Sequence, residues 1–534
     1  MATATSHADN VRKNDTSKIG RWVLLATITA SSMAFIDGSA LNVALTALQN
    51  DLHASGADLI WVVNGYLLTL AALILLGGSL GDRFGRNRIF RIGIIIFVSA
   101  SFACGISPSI SILLVARLVQ GVGGALMVPG SLAIISASFS GDERGRAIGT
   151  WSSFGTVTTI LAPVLGGFLA NVGLWRGVFF INLPLAVVAI WALRKVPETR
   201  DDQAPRQLDY PGTALITLGL AGLTYGAIGL GQANSGALPW VALIVGVVAL
   251  ISFVMVEGRS THPLVPLALF RERTFSGTNL MTVFLYGALS GSIFFLSLNL
   301  IQVQGYPSNI AGLALLPLSL ILAGLSPVMG RLVARIGPRL PLTVGSFLAG
   351  VGFVVMALPA QTNGPTDYWV SYFPGIVLLG IGMGIVVAPL TTAVMGSVPT
   401  NRSGVASGVN NAVARAAQGL ALAALGGLAL VVFSNGLTGR IAPLNLQPDV
   451  SQQLHDNANK LANMELPKTL DDADHAAVKT SVQQAIHASF IDTFRLVLLI
   501  CAVAAWIASA ASAILVGNKL STPDAKPADA EATA

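Results

Sequence analysis

A chain of 534 residues that is 53% hydrophobic and only 10% charged, with a mean hydropathy of +0.71, lies outside the range of soluble globular domains and reads as a polytopic membrane protein. Its formal net charge of +6 calls for no nucleic acid, because the basic residues fall where membrane topology puts them. Cys104 and Cys501 both sit in apolar segments, which argues against a disulfide framework or a cysteine-based metal site.

A helical crossing needs about 20 mostly apolar residues. In chain order, fourteen such segments are predicted, at 22–46, 59–80, 92–107, 110–135, 148–170, 177–193, 211–231, 238–257, 275–302, 309–330, 340–360, 369–396, 404–433 and 491–516. None shows the alternation of an outer-membrane barrel, so the expected class is an all-α polytopic membrane protein with fourteen transmembrane helices. Residues 1–21 form a polar tail without a cleavable signal pattern, and the first span is expected to be retained as an anchor. Of the 31 lysines and arginines, 23 fall in the tails and in alternate short loops, 5 on the opposite side and 3 inside spans. That bias predicts both termini in the cytoplasm, with the chain in the plasma membrane and some attraction to anionic lipid. The six histidines lie in tails or loops, so neither a metal site within the membrane nor a cofactor is expected.

The first span carries FIDGSALNVAL, which places Asp37 as the one carboxylate well inside a predicted span, with Asn42 further along. Between spans 2 and 3 the run GDRFGRNRIFR crowds Asp82, Arg83, Arg86, Arg88 and Arg91 into one short loop after Gly78, around Gly85. The fourth span reads RLVQGVGGALMVPG, with Arg117, Gln120 and three glycines at 121, 123 and 124; the fifth reads TILAPVLGG, with Pro163, Gly166 and Gly167. An intramembrane charge is a functional candidate by default. By a rise of ~1.5 Å per residue, Asp37 and Arg117 lie at similar depths, ~8 and ~10 Å from the outer face.

A weaker copy of the loop recurs 252 residues on, where Gly330, Arg335 and Gly337 match Gly78, Arg83 and Gly85 and Ala334 replaces Asp82. Gly121 and Gly123 are echoed by Gly380 and Gly382, 259 residues on. Two similar offsets suggest two related halves. Spans 7 and 8 then become an insert, and the expected organisation is a six-helix bundle at 22–193, a linker with two inserted helices at 194–274, a second six-helix bundle at 275–517, and a tail at 518–534. The second bundle includes an outward loop at 434–490, expected to be a solvated lid or spacer with an amphipathic stretch near AAVKTSVQQAIHASF. In span 13, Asn410, Asn411 and Arg415 with Gln418 form a polar face near mid-membrane. Arg495 is expected to anchor at the interface.

Together GSLGDRFGRNR, FIDGSALNVAL, RLVQGVGGALMVPG and TILAPVLGG resemble motifs of the major facilitator superfamily, specifically its fourteen-helix drug:proton antiporter branch, over about residues 20–517. Asn87 departs from the basic residue usual in the loop, Thr46 from the proline that ends the helix-1 motif, and Thr158 and Ala162 from helix-5 glycines. The resemblance implies two bundles rocking around a central cavity. It also implies that Asp82 latches the halves together, with Arg83 and Arg86 bracing it, against the start of helix 13 near Ser403 and Gly404. Asn42, Gln120, Asn410, Asn411 and Arg415 become cavity candidates.

The expected function is therefore a proton-coupled, monomeric secondary exporter of small lipophilic compounds, with a small-molecule substrate and protons as partners. Asp37 is the expected proton carrier and Arg117 its conformation-dependent partner, because contact with a guanidinium favours the ionised carboxyl and desolvation without it favours the protonated one. A static salt bridge pinning helix 1 to helix 4 is the alternative for this pair. For the chain, the alternatives are an exporter of one endogenous metabolite or lipid, a non-transporting sensor, and a membrane-embedded enzyme. Against the enzyme stands the lack of a nucleophile–base pair or P-loop in the sequence.

Overall fold

The computed structural model describes residues 2–200, 208–232, 236–399, 402–470 and 476–518. Of the predicted regions, the tail beyond 518 and the linker stretch 201–207 lie outside the described residues. Among those described there is no strand, and thirteen helices are long and apolar enough to cross a membrane: α1 (Ile19–Leu52), α2 (Gly56–Phe84), α3 (Arg86–Gly105), α4 (Ile110–Ser138), α5 (Glu143–Asn171), α7 (Tyr210–Gly229), α8 (Leu238–Glu257), α9 (Arg273–Val303), α10 (Ser308–Ile336), α11 (Arg339–Ala357), α12 (Phe373–Gly396), α13 (Ser403–Leu444) and α14 (Ala476–Leu515). A shorter apolar helix, α6 (Gly177–Leu193), fills the sixth place. It is interrupted at Ile181, and Asn182 at that break donates to the Ser101 hydroxyl at 2.9 Å.

Helix ends follow local chemistry. Ser55 and Asp58 form a reciprocal capping box at the start of α2, and the Asp209 carboxylate accepts the Gly212 N–H at the start of α7, satisfying donors that have no partner within the helix. Two ends need glycine: α2 stops at Gly85 (φ +105°) and α10 at Gly337 (φ +75°), left-handed positions that side chains disfavour.

α1–α6 pack among themselves, as do α9–α14, while α7 and α8 pair with each other and set α7 against α2 and α13. The offsets seen in the sequence recur in the packing. A Cβ on Gly123 would stand 2.9 Å from the Gly93 carbonyl, and one on Gly382 would stand 2.6 Å from the Gly345 carbonyl, so α4 meets α3, and α12 meets α11, backbone to backbone at matching places. Small residues permit such approach where no hydrophobic force drives helices together.

Both described chain ends lie on the side of the α2–α3 and α10–α11 turns, here called the turn side; Asn518 reaches Gly337 there. On the opposite, lid side the structure corrects the loop expectation. Helix 13 runs to Leu444 and helix 14 begins at Ala476, so the amphipathic stretch is the first part of α14. Hydropathy sees only the lipid-facing part of these helices; beyond it Leu437 and Ile441 pack in one core with Val482 and Ile486. The segment between them is packed, with Val450, Leu454, Leu461 and Leu470 all buried. It is tied down by Gln49, whose Nε2 donates to the Lys460 carbonyl at 3.0 Å and whose Oε1 accepts from Gln302 of the second bundle at 2.9 Å.

The bundles close on each other at this lid side. A Cβ on Gly167 would stand 2.3 Å from the Ser308 carbonyl, and one on Gly312 would stand 2.4 Å from the Pro163 carbonyl. Towards the turn side contact narrows to the α2–α13 seam, where a Cβ on Gly408 would stand 3.7 Å from Leu75, while Gly145, Gly149, Gly324 and Gly404 have nothing within 4 Å of such a Cβ. Gly167→Val is therefore expected to spread the lid side. A cysteine placed by Asn42→Cys, in a Cys104→Ala/Cys501→Ala background, should then react about tenfold faster with an impermeant maleimide applied from the lid side, the effect of a ~1.4 kcal/mol population shift.

Candidate functional site

Asp37, midway along α1, is 0% exposed, and Arg117 on α4 is 1% exposed. Their side chains meet, with Arg117 Nη1 donating to Asp37 Oδ2 at 2.5 Å. One turn along α4, Gln120 donates from Nε2 to Asp37 Oδ1 at 2.8 Å and accepts from Arg117 Nη1 at 2.8 Å. Sequence reasoning placed Gln120 among the cavity candidates; the structure puts it at 0% exposure as the second donor to the acid. Arg117 also donates from Nε to the Val62 carbonyl at 2.8 Å and lies 4.8 Å from the Tyr66 ring centroid, a favourable place for a cation.

The partners are unevenly shared. Among the described residues, Asp37 accepts hydrogen bonds from Arg117 and Gln120, whereas Arg117 has a glutamine, a carbonyl and an aromatic face besides the acid. If the carboxylate took up a proton and withdrew, the guanidinium would keep three favourable contacts. A buried charge is costly chiefly when left uncompensated, so this geometry lets the acid change state without stranding the arginine.

The other cavity candidates lie elsewhere. Asn42 turns back on its own helix, donating to the Gly38 carbonyl at 3.3 Å; Gly38 beside it is exposed and has open space around it. Asn410 is engaged with α9, at 3.1 Å from Asn279 Oδ1 and 3.0 Å from Thr282 Oγ1. Asn411 is exposed, and Arg415 bonds to Gln418 at 3.3 Å; these three share a face by their i, i+4, i+7 spacing. Missed by sequence reasoning is Asn64 on α2, 0% exposed with neither amide atom partnered among the described residues. Its Oδ1 lies 3.2 Å from where a Cβ on Gly419 of α13 would stand, at a contact between the bundles. A lone amide in the apolar run WVVNGYLL was the signal available.

At the α2–α3 turn, the Asp82 side chain is 39% exposed and pairs across Gly85 with Arg86, four residues on, at 2.8 Å. Arg83 instead stacks on Phe84, 4.8 Å from its ring centroid. Gly404 has nothing within 4 Å of a built Cβ, in keeping with the open turn side, and Gly78 faces Pro129 at ordinary contact distance, 3.7 Å. The turn is stitched by a residue that sequence reasoning did not single out: the Glu198 carboxylate accepts the backbone N–H of Asn87 at 2.8 Å and of Arg88 at 3.0 Å. An anion is well placed at the start of α3, where N–H groups lack helical partners. Asn87, in turn, donates both amide hydrogens, to the Val196 carbonyl at 2.7 Å and the Leu193 carbonyl at 3.2 Å. Arg495 does more than anchor, since it donates to the carbonyls of Ala357, Leu358 and Pro359 at the end of α11, a favoured place for a cation.

Removing one partner of the buried pair leaves the other charge unanswered. Arg117→Met is thus expected to cost about 3–5 kcal/mol of stability, and Arg117→Met combined with Asp37→Asn distinctly less than the sum of the two single changes. Thermal unfolding of the four detergent-purified forms measures this.

The family model for the Major Facilitator Superfamily matches residues 27–422. The chain is 32% identical over 508 residues to the tetracenomycin C resistance and export protein of Streptomyces glaucescens, covering 94% of this chain and 92% of that one. It is 33% identical over 406 residues to the multidrug resistance protein Stp of Mycobacterium tuberculosis, covering 76% and 74%. Among solved structures, a bacterial homolog of the human lysosomal transporter Spinster in an inward-facing, unoccupied conformation matches with a TM-score of 0.64 at 19% identity, covering 94% of this chain and 99% of that one. That likeness speaks for the fold, and the sequence matches speak for kinship. The chain belongs to the Major Facilitator Superfamily of membrane transporters.

Proposed function

We propose that this transporter is a drug exporter of the plasma membrane, working as a monomer with both termini in the cytoplasm, that exchanges protons for small lipophilic compounds by alternating access. The observation that carries the proton coupling is the fully buried Asp37 held by Arg117 and Gln120, because an ionisable group in the membrane is functional by default and the arginine here retains partners if the acid is neutralised. The basic-residue bias supports a cytoplasmic turn side, and on that reading the structure is taken as inward-open. Export is supported by the resistance and export proteins among the relatives. Asp37 is the only deep acid, which suits lipophilic monocations or neutral compounds better than dications.

The cycle runs as follows. In the inward-open state Asp37 is ionised and substrate enters from the cytoplasm or inner leaflet. The bundles rock, substrate leaves outward, and a proton takes its place on Asp37 and is released inside. Each species must bind the two states unequally for the exchange to be coupled. Asp82 with Arg86 becomes the inner latch, closing on the start of α13 when the turn side shuts.

The test is reconstitution of the wild type and of Asp37→Asn in liposomes holding a pH dye, with an imposed proton gradient and a panel of lipophilic cations, neutral drugs and lipid-like compounds. Substrate-triggered proton movement is expected in the wild type and should fall at least about tenfold in the variant, a loss of ~1.4 kcal/mol or more. Proton movement of equal size in the variant would remove Asp37 from the role; its absence in folded wild type with every compound would remove the coupling.

A further inference from the structure

Away from the central network, the inserted pair α7 and α8 carries two acids at its turn-side end. Asp209 precedes α7 and is 8% exposed, while Glu257 ends α8 and is 3% exposed. Each spends one oxygen on a backbone N–H: Asp209 Oδ1 accepts from Gly212 at 2.7 Å, and Glu257 Oε2 accepts from Val265 at 3.2 Å. The remaining oxygens, Asp209 Oδ2 and Glu257 Oε1, are buried without a partner among the described residues. They converge on one point, since a Cβ on Gly212 would stand 2.7 Å from the first and 2.9 Å from the second.

Two buried carboxylates facing each other cannot both stay ionised at small cost, because desolvation and mutual repulsion act together. A single proton answers both orphaned oxygens, one carboxyl becoming the O–H donor and the other remaining the acceptor. We propose that Asp209 and Glu257 form a one-proton site, a carboxylic acid–carboxylate pair that clips the entrance of the inserted helix pair to its exit and loosens when the proton leaves to solvent. The adjoining recess provides the route, and the charged or titratable side chains lining it, besides Asp209 itself, are Arg259 and His262. The helices packed on α7 face it with Leu68, Ala71 and Ala72 of α2 and with Ala416 and Leu420 of α13. The site lies outside both bundles, and its proton is distinct from the one assigned to Asp37. α7 nonetheless touches the moving parts, because Gly427 of α13 packs against the Ala227 carbonyl.

The pair should titrate as a unit, and loss of its proton leaves two adjacent charges. Thermal stability of the full-length detergent-purified protein should therefore fall by a few degrees as the pH rises from about 4.5, where the carboxyls of the unfolded chain have given up their protons, to about 8, where the folded pair gives up its own, and level off beyond. Glu257→Gln should flatten that fall, because its amide can donate to Asp209 Oδ2 at any pH; Asp209→Asn, which keeps a capping side chain, should act alike if the first variant folds poorly. His262→Gln should leave the fall in place. An infrared band of a protonated carboxyl at neutral pH, lost in both acid variants, is the direct signature. Parallel pH profiles in wild type and both acid variants, or absence of the band, would overturn the proposal. So would stability that follows sodium or magnesium concentration at fixed pH and not the pH, since a cation would then hold the oxygens together.

Discussion

A guanidinium and a carboxylate can be kept among lipid-facing helices only if nearly every donor and acceptor is answered, and that demand fixes how α1, α2 and α4 cross. Arg117 needs the Val62 carbonyl and the Tyr66 face, which brings α4 against α2. The approach is possible because a Cβ on Gly121 would stand only 2.4 Å from the Tyr66 carbonyl. Asp37 is then drawn to α4 by two side-chain donors. Arg117 is held from several directions and Asp37 from one, so a change of charge on the acid shifts α1 more readily than α4.

From α1 the mechanical connection is continuous. Gly166 lets α5 lie against the Ala40 carbonyl of α1, and the Ser32 and Thr158 hydroxyls meet at 3.0 Å further along the same pair. One residue beyond Gly166, Gly167 seats α5 on Ser308 of α10 in the other bundle. Adjacent glycines thus face the two partners of α5, one within its bundle and one across the seam. Such backbone contacts carry little directional bonding and slide at small cost, while the Gln49 knot on the lid side adds hydrogen bonds that must break for that side to open. This is a physical chain between the acid and the gate, and coupling along it is what the proposed cycle requires.

How much of this was legible in the sequence depends on the length scale of the signal. Spans announce themselves through twenty-residue averages, and the run of helices, the glycine repeat and the shared level of Asp37 and Arg117 along their helices all follow from local text. Partners that depend on how segments distant in sequence meet do not. Gln120 reads as one more polar residue until the α1–α4 crossing points it at Asp37, and Glu198 reads as linker until the chain returns after α6 to the start of α3. The lid was misread for a similar reason. Its leucines and valines are too sparse to register as a span, yet they suffice to cover the ends of helices that outrun the hydrocarbon.

The two halves share a backbone scheme and differ in the chemistry laid on it. Each closes its α2- or α10-type helix with a left-handed glycine, and each covers that turn with chain that has just left its sixth helix: Glu198 at Gly85, Asn518 at Gly337. The first cover is a carboxylate bonded to two N–H groups, while the second approaches through a backbone carbonyl. Asp82 has an alanine counterpart, Ala334, and the charge pair of α1 and α4 belongs to the first half alone, whereas the polar face of Asn411, Arg415 and Gln418 belongs to the second. If both halves carried the same charges, protonation would pull on both sides of the seam alike. In the cycle proposed above, the acid, its arginine and Asp82 all stand in one half, so that gain or loss of a proton would bias the first bundle against a second that responds only through contact. That imbalance would let a two-fold scaffold prefer one open side over the other.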